Sequence, residues 1–222
     1  MSPKIAAQWT AGVDEVGRGA LFGPVVAAAV ILPSWGVAEL AHQGVTDSKQ
    51  LSAAQRDRLF VLIRDTAIDC RIGWASVHEI DRFNILQATF LAMRRAVARL
   101  EPQPCLCLID GNQRVPGLPM AQQTIIKGDQ HSVAIAAASI IAKVWRDRLI
   151  IRLAQRYPGY GLDANKGYGT ASHRKAIQQI GASRQHRQSF KPCQPQSLTN
   201  DEALIQQTII QPGLPDVAIC EQ

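Results

Sequence analysis

Apolar residues along the chain fall into two periods. Residues 11–16 and 24–32 are short, nearly continuous apolar runs separated by Gly17-Arg18-Gly19-Ala20-Leu21-Phe22-Gly23. That pattern predicts two strands joined by a glycine-rich connection. From Asp69 onward, Cys70, Ile72 and Trp74 alternate with small or polar residues, predicting a third strand and an antiparallel meander of the three. Helices start at readable caps: Ser52 with Gln55, and Ser76 with Glu79, have the capping-box spacing. Behind the second box Ile80, Phe83, Leu86, Phe90, Met93, Val97 and Leu100 recur at three and four, one apolar stripe suited to covering a sheet. Residues 106–109 and 124–126 predict two further strands, each delivering an acid near its C-terminal end, in Asp110-Gly111-Asn112 and in Lys127-Gly128-Asp129. A long helix is expected from near Gln130 through Trp145 towards Arg156, broken by Pro158. After a Gly- and Tyr-rich loop at 159–169, Thr170 caps a shorter helix ended by Gly181. From Lys191 the composition turns to Gln and Pro, with one short helix expected near 201–210 and otherwise a tail.

The 222 residues suit one domain with at most a small appendage, large enough to bury a core without disulfide or metal staples. A composition 46% hydrophobic and 19% charged excludes wholly disordered, coiled-coil and collagenous chains. The longest apolar stretch, 133–142, is too short for a membrane span, and residues 1–10 lack the plan of a signal peptide, so a cytoplasmic location is expected. The five cysteines include no Cys-x-x-Cys pair and read as reduced, mostly buried thiols. Cys105 and Cys107 alternate with Leu106 and Leu108 and are expected in a strand core.

Charge is unevenly placed. Residues 1–142 carry net +1, residues 143–191 carry 11 basic and 2 acidic side chains, and residues 192–222 carry only 4 acids. The dense basic stretch suggests a surface facing a polyanion, against the plainer reading of a solvated basic helix face.

The acids carry the chemistry. Asp14 and Glu15 end an apolar strand, an expensive place for adjacent charges unless a cation receives them; otherwise they belong to a solvated turn. Neighbouring strand residues point to opposite faces, so both serve one site only if the strand bends or bulges. Asp110 and Asp129 each have an ordinary role available, in a turn and as a helix N-cap. If all four converged at strand ends they would repel strongly unless divalent cations compensated them, and two Mg²⁺ or Mn²⁺ ions suit phosphodiester hydrolysis.

These residues sit in motifs. Val13-Asp14-Glu15-Val16-Gly17-Arg18-Gly19 followed by Gly23-Pro24-Val25-Val26 resembles the opening of the ribonuclease HII family. The resemblance continues through Asp47-Ser48-Lys49, Glu79-Ile80-Asp81 with Asn84-Ile85-Leu86, Ile109-Asp110-Gly111-Asn112, and Lys127-Gly128-Asp129. Ser139-Ile140-Ile141-Ala142-Lys143, Lys166-Gly167-Tyr168-Gly169-Thr170 and His186-Arg187-Gln188-Ser189-Phe190 extend it over most of 11–192. It implies a ribonuclease H-like α/β fold, a mixed central sheet flanked by helices with a helical C-terminal part, filling residues 1–192 as the catalytic domain. It also implies Asp14, Glu15, Asp110 and Asp129 as metal-binding catalytic carboxylates. The implied substrates are RNA/DNA hybrids and duplex DNA holding single ribonucleotides, cut on the 5′ side of the ribonucleotide to leave a 3′-hydroxyl and a 5′-phosphate. Gly17, Arg18 and Gly19 make physical sense as a 2′-hydroxyl sensor, because glycines let backbone groups approach a sugar closely. Tyr168, between two glycines, is expected to be exposed, and the matching family tyrosine stacks on the sugar after the ribonucleotide. Lys49, Ser139, Lys143, Lys166 and Arg187 are candidates for phosphate contacts, against solvated lysines, a small packing residue at 139 and a surface charge at 187.

The related ribonuclease HIII usually has Lys where this chain has Arg18 and carries an extra N-terminal domain, so it is set aside. Residues 193–222 form a C-terminal extension with no counterpart in the resemblance, expected either to fold its acidic tail back on the basic surface as a weak inhibitor or to be partly disordered. Two other readings compete: a catalytically silent nucleic-acid binder, and another polynucleotidyl transferase such as an integrase or resolvase. Retention of all four acids speaks against the first, and the Gly-Arg-Gly and Tyr168 features against the second. A monomer is expected; nothing in the sequence chooses Mg²⁺ over Mn²⁺ or tests a replication-clamp contact.

Overall fold

The computed structural model describes residues 9–194. In chain order it contains β1 (Thr10–Val16), β2 (Val25–Ile31), α1 (Ser34–His42), α2 (Ala53–Thr66), β3 (Asp69–Ala75), α3 (Val77–Val97), β4 (Leu106–Asp110), β5 (Ala121–Ile125), α4 (Gly128–His131), α5 (Val133–Ala154), α6 (Leu162–Asn165) and α7 (Ala171–Ile180). The helix expected near 201–210, the acidic extension and Cys220 lie outside the described residues. No helix among those described is long and apolar enough to cross a membrane.

The strands form one sheet in the order β3-β2-β1-β4-β5. The expected meander is there: β1 pairs antiparallel with β2, and β2 with β3, while β4 and β5 join in parallel. Alternation sorts the side chains. Ala11, Val13, Val25, Ala27, Ala29 and Ile31 pack with α3 on one face, and Val26, Ala28 and Val30 pack with α2 and α5 on the other. Because both faces are covered, β2 is buried along its whole length. The alanine-rich start of α5 lies so close to β1 that a Cβ on Gly12 would stand 2.1 Å from the Ala134 carbonyl carbon. Small residues on both elements are what bring α5 down over the strand that ends in Asp14 and Glu15.

Both capping boxes form as the spacing predicted, at Ser52 and at Ser76. Arg95 holds Glu79 through two bonds of 2.7 and 3.0 Å, the main reason the Glu79 carboxyl sits down at about 2. Arg95 also donates to the Trp74 carbonyl (2.8 Å) and Arg99 to the Ile72 carbonyl (3.1 Å), both on β3 at the margin of the sheet.

Several details depart from the periodic reading. Helix α3 is kinked at Asn84 (φ 69°, ψ 167°), whose Oδ1 caps the second half by accepting from the Leu86 and Gln87 N–H groups. The single stripe therefore breaks, and Phe83 is 41% exposed beside the Arg82 guanidinium. Cys105 falls just before β4 and is exposed, whereas Cys107 is buried as expected. The long helix does not start at Gln130: Ser132 is extended (φ −134°, ψ 118°) and separates α4 from α5. Strand β5 begins three residues before the expected start: Ala121 and Gln123 are exposed and Gln122 half-buried, as an edge strand tolerates, so no apolar run marks its beginning.

The glycine-rich connection reaches into the C-terminal helices. Leu21 and Phe22 share a core with Ile150, Tyr160, Leu162, Ile177 and Cys193. Single β-bridges link Ala20 to Tyr168 and Phe22 to His186.

Candidate active site

Parallel pairing of β1 with β4 runs to Val13 opposite Ile109, so the next residues, Asp14 on β1 and Asp110 at the end of β4, follow directly on neighbouring strands. The β1–β2 ladder continues unbroken to Val16. No bulge therefore interrupts β1 at Asp14-Glu15. Asp14 points towards α5, with the Ser139 hydroxyl beside it, and Glu15 points towards the α3 side, lining a small hollow with Asp110, Leu86, Phe90 and Met93. Asp110 stands close enough to repel both, and that shared neighbour is what unites two acids on opposite faces of one strand.

Asp110 Oδ1 also accepts from the Gly128 N–H at 2.7 Å. This bond anchors the turn in which Lys127 is left-handed (φ 54°) and which starts α4, so Asp129 sits inside the short helix rather than capping it. Asp129 is 6% exposed, with Lys49 Nζ 4.0 Å from its Oδ2. The structure adds a fifth acid, Asp47, which is buried and faces Asp129. Its only sequence signal was the Asp47-Ser48-Lys49 motif.

Electrostatics follow from this crowding. Burial, then Glu15 and Asp110, push the Asp14 carboxyl well above its ordinary value, against the Ser139 hydroxyl and the Glu15 N–H (2.7 Å). Burial also raises Glu15, with Arg18 opposing and Asp110 adding to the rise. Asp129 is raised by burial and by the charges of Asp47 and Asp110. For Asp47 burial acts upward, but bonds from the Lys49 N–H (2.9 Å) and Gln50 side chain, with the Lys49 charge, outweigh it. Five carboxyl groups thus face two nearby cations, Lys49 and Arg18, the latter 3.5 Å from Glu15. An all-oxygen set with surplus negative charge fits Mg²⁺ or Mn²⁺. Among the described residues no group of three or more His, Cys, Asp or Glu side chains stands close enough together to hold an ion by itself.

Beside the acids lies the 17–19 turn. Gly17 has φ 93°, and a Cβ there would stand 2.3 Å from the Arg146 Nε, so the turn rests directly on a guanidinium. A Cβ on Gly19 would meet nothing within 4 Å, leaving that backbone open to an incoming molecule. Arg18 has a half-exposed side chain.

Tyr168 is half-buried rather than exposed, because its ring packs 5.6 Å from Lys143 Nζ and 5.4 Å from the Arg146 guanidinium. Its carbonyl is held by a chain of buried histidines. The Ser183 N–H donates to His186 Nδ1 (2.9 Å), so the His186 proton is on Nε2 and points at His173 Nε2 (3.1 Å). The His173 Nδ1–H then donates to the Tyr168 carbonyl at 2.9 Å.

The phosphate-contact candidates divide. Lys49 projects freely, with 83% of its side chain exposed. Lys143 pairs with Asp147 at 2.9 Å, and the Lys166 ammonium folds back on the Asp163 carbonyl. Ser139 is buried, its hydroxyl bonded to that of Ser48 (2.9 Å) and beside the Asp14 carboxyl, so it is not open to a phosphate. Arg187 is fully buried and gives its Nε to the Gly23 carbonyl (3.0 Å) and its Nη1 to the Arg18 carbonyl (2.8 Å), so it is neither a surface charge nor free for phosphate. Arg146, which the sequence reading did not single out, is equally buried. Two of the eleven bases in the basic stretch are therefore interior.

Known proteins resemble this chain in sequence and in fold. Residues 11–193 match the family model described as Ribonuclease HII. Ribonuclease HII of Acaryochloris marina is 62% identical over 189 residues, covering 85% of this chain and 96% of that protein. The enzyme of the same name from Trichodesmium erythraeum is 62% identical over 186 residues, covering 84% and 88%. Ribonuclease H2 of Pyrococcus horikoshii superposes with a TM-score of 0.71 at 28% identity, covering 84% of this chain and 95% of that one. RNase HII of Archaeoglobus fulgidus, solved in a complex with PCNA, gives 0.71 at 26% identity, covering 87% and 99%. The fold is thus ribonuclease H-like, and with sequence and backbone agreeing from β1 through the C-terminal helices, the chain belongs to the ribonuclease HII family.

Proposed function

We propose that this enzyme, a metal-dependent nuclease of the ribonuclease H class, hydrolyses the RNA strand of RNA/DNA hybrids and cuts 5′ of single ribonucleotides in duplex DNA, leaving a 3′-hydroxyl and a 5′-phosphate. The observation that carries the reading is the gathering of Asp14, Glu15, Asp110 and Asp129 around the ends of two parallel strands, next to a backbone turn with open space at Gly19. Asp14, Glu15, Asp110 and Asp129 hold the cations, two in this reading. Bound there, Mg²⁺ or Mn²⁺ supplies an activated water and charge stabilisation for the leaving oxygen. Ser139 orients Asp14, and the Gly128 N–H orients Asp110. Gly17 and Gly19 bring backbone groups to the ribose, where the 2′-hydroxyl both donates and accepts. Arg18, Lys49, Lys143 and Lys166 line the approach of the phosphates, and the Tyr168 ring offers a face to the sugar after the ribonucleotide. An additional contact with a replication clamp has its support in the archaeal neighbour solved with PCNA.

The test is a DNA duplex with one internal ribonucleotide, incubated with Mg²⁺ or Mn²⁺ and then with chelator. Metal-dependent cutting 5′ of the ribonucleotide, absent from all-DNA duplex, is expected. Asp14→Asn and Asp110→Asn should each lower the rate by about a hundredfold or more while leaving the fold intact. Near-normal rates in either variant would refute the assigned metal site.

A further inference from the structure

Arg146 stands out among buried groups because its side-chain bonds reach two loops that are far apart in sequence. It is fully buried, and its three hydrogen bonds go to backbone carbonyls: Nε to Pro24 (3.1 Å), Nη2 to Phe22 (2.9 Å) and Nη1 to Lys166 (2.9 Å). The same plane underlies the Cα of Gly17, which has room for no Cβ, and packs 5.4 Å from the Tyr168 ring centre. Arginine suits this task because its flat fork presents donors in fixed, diverging directions; a lysine ammonium reaches one point and cannot replace three separated bonds. A buried guanidinium facing carbonyl dipoles is costly to rearrange, so the loops it joins keep one relative position.

We propose that Arg146 is a positioning residue that locks the 2′-hydroxyl-sensing turn at Gly17-Arg18-Gly19 to Tyr168, so that ribose recognition and reading of the following sugar work as one unit. The proposal rests on the functional reading above. A continuous RNA/DNA hybrid offers a ribose at every position and depends less on this alignment. A lone ribonucleotide needs turn and ring in register at one step. Arg146 touches neither substrate nor metal in this scheme; it acts through the two loops.

The test is a double-mutant cycle read as the ratio of kcat/KM on a single-ribonucleotide duplex to kcat/KM on a continuous hybrid. Arg146→Lys and Tyr168→Ala should each lower that ratio about tenfold, and the double variant should fall no more than about twofold below the lower single. If Arg146→Lys slows both substrates equally, or the two effects multiply, the coupling is wrong and the arginine only supports the fold. Should Arg146→Lys fail to fold by circular dichroism, Gly17→Ala, whose Cβ intrudes on the guanidinium, takes its place in the cycle, and multiplying effects with Tyr168→Ala overturn the proposal equally. Wild-type protein that cuts neither substrate would overturn the functional reading, whereas wild-type cleavage with an unchanged variant ratio overturns the coupling alone.

Discussion

The histidine chain beneath Tyr168 makes folding stability depend on pH in a calculable way. His186 is fully buried, and burial together with the charge of His173 lowers it from 6.5 to about 4. His173 is lowered as well, again chiefly by burial. The geometry explains why: both His186 nitrogens are committed, Nδ1 as acceptor from Ser183 and Nε2 as donor to His173, so an added proton on Nδ1 would face the Ser183 N–H. With the folded value below the unfolded one, the unfolded chain binds the proton first between about pH 6.5 and about pH 4. Stability is then fully present above that window and falls as the pH drops through it. At about 1.4 kcal/mol per pH unit, His186 alone removes about 2 kcal/mol between about pH 7.5 and about pH 5. Urea unfolding followed by circular dichroism at those two values should show this loss in the wild type. His186→Asn, which keeps an acceptor for the Ser183 N–H, should be weaker at both values but lose about 2 kcal/mol less between them. Parallel losses in the two proteins would refute the tautomer chain and its energetics.

Two further outcomes test the packing. Gly12→Ala drives a Cβ to 2.1 Å from backbone of α5, which cannot rotate away; the melting temperature should drop by about 6–12 °C, from about 3 kcal/mol, and a shift under about 2 °C would show that α5 can retreat. Alkylation followed by peptide mapping should modify exposed Cys105 well before Cys107 and Cys193, whose thiols burial raises to about 12 and about 11; equal labelling in the folded protein would contradict the core around them.

Signals that act over a few residues were legible in the chain. Alternation in 69–75 and the Ser-x-x-Gln and Ser-x-x-Glu spacings each specify a strand or helix start through neighbours in sequence, and they appear where expected. The four acids were legible through their motifs and their place at strand ends. Their means of meeting was not: Asp14 and Glu15 converge through Asp110 across a strand pair, a long-range relation that no local bulge encodes. Arg146 and Arg187 were hidden for the same reason. Counting charges assigns arginines to the surface, and only the fold brings carbonyls from 20 to 169 residues away to receive their donors, with Arg187 Nη2 left without a partner. Helix α1 starts at Ser34 behind Pro33, which gives no side-chain cap and left no local mark.

The two arginines on the margin of the sheet have a consequence for life at high protein concentration. An edge strand such as β3, paired on one side only, offers a row of free backbone groups on the other, a template on which a second molecule can lay a strand of its own. Here Arg95 and Arg99 already occupy the Trp74 and Ile72 carbonyls. An invading strand would have to displace two charge-assisted bonds, each worth about 1.5–3 kcal/mol, and would strip Arg95 from Glu79 as well. The long side chains at the C-terminal end of α3 and in the turn after it thereby work against cross-molecular β-pairing and aggregation along this border.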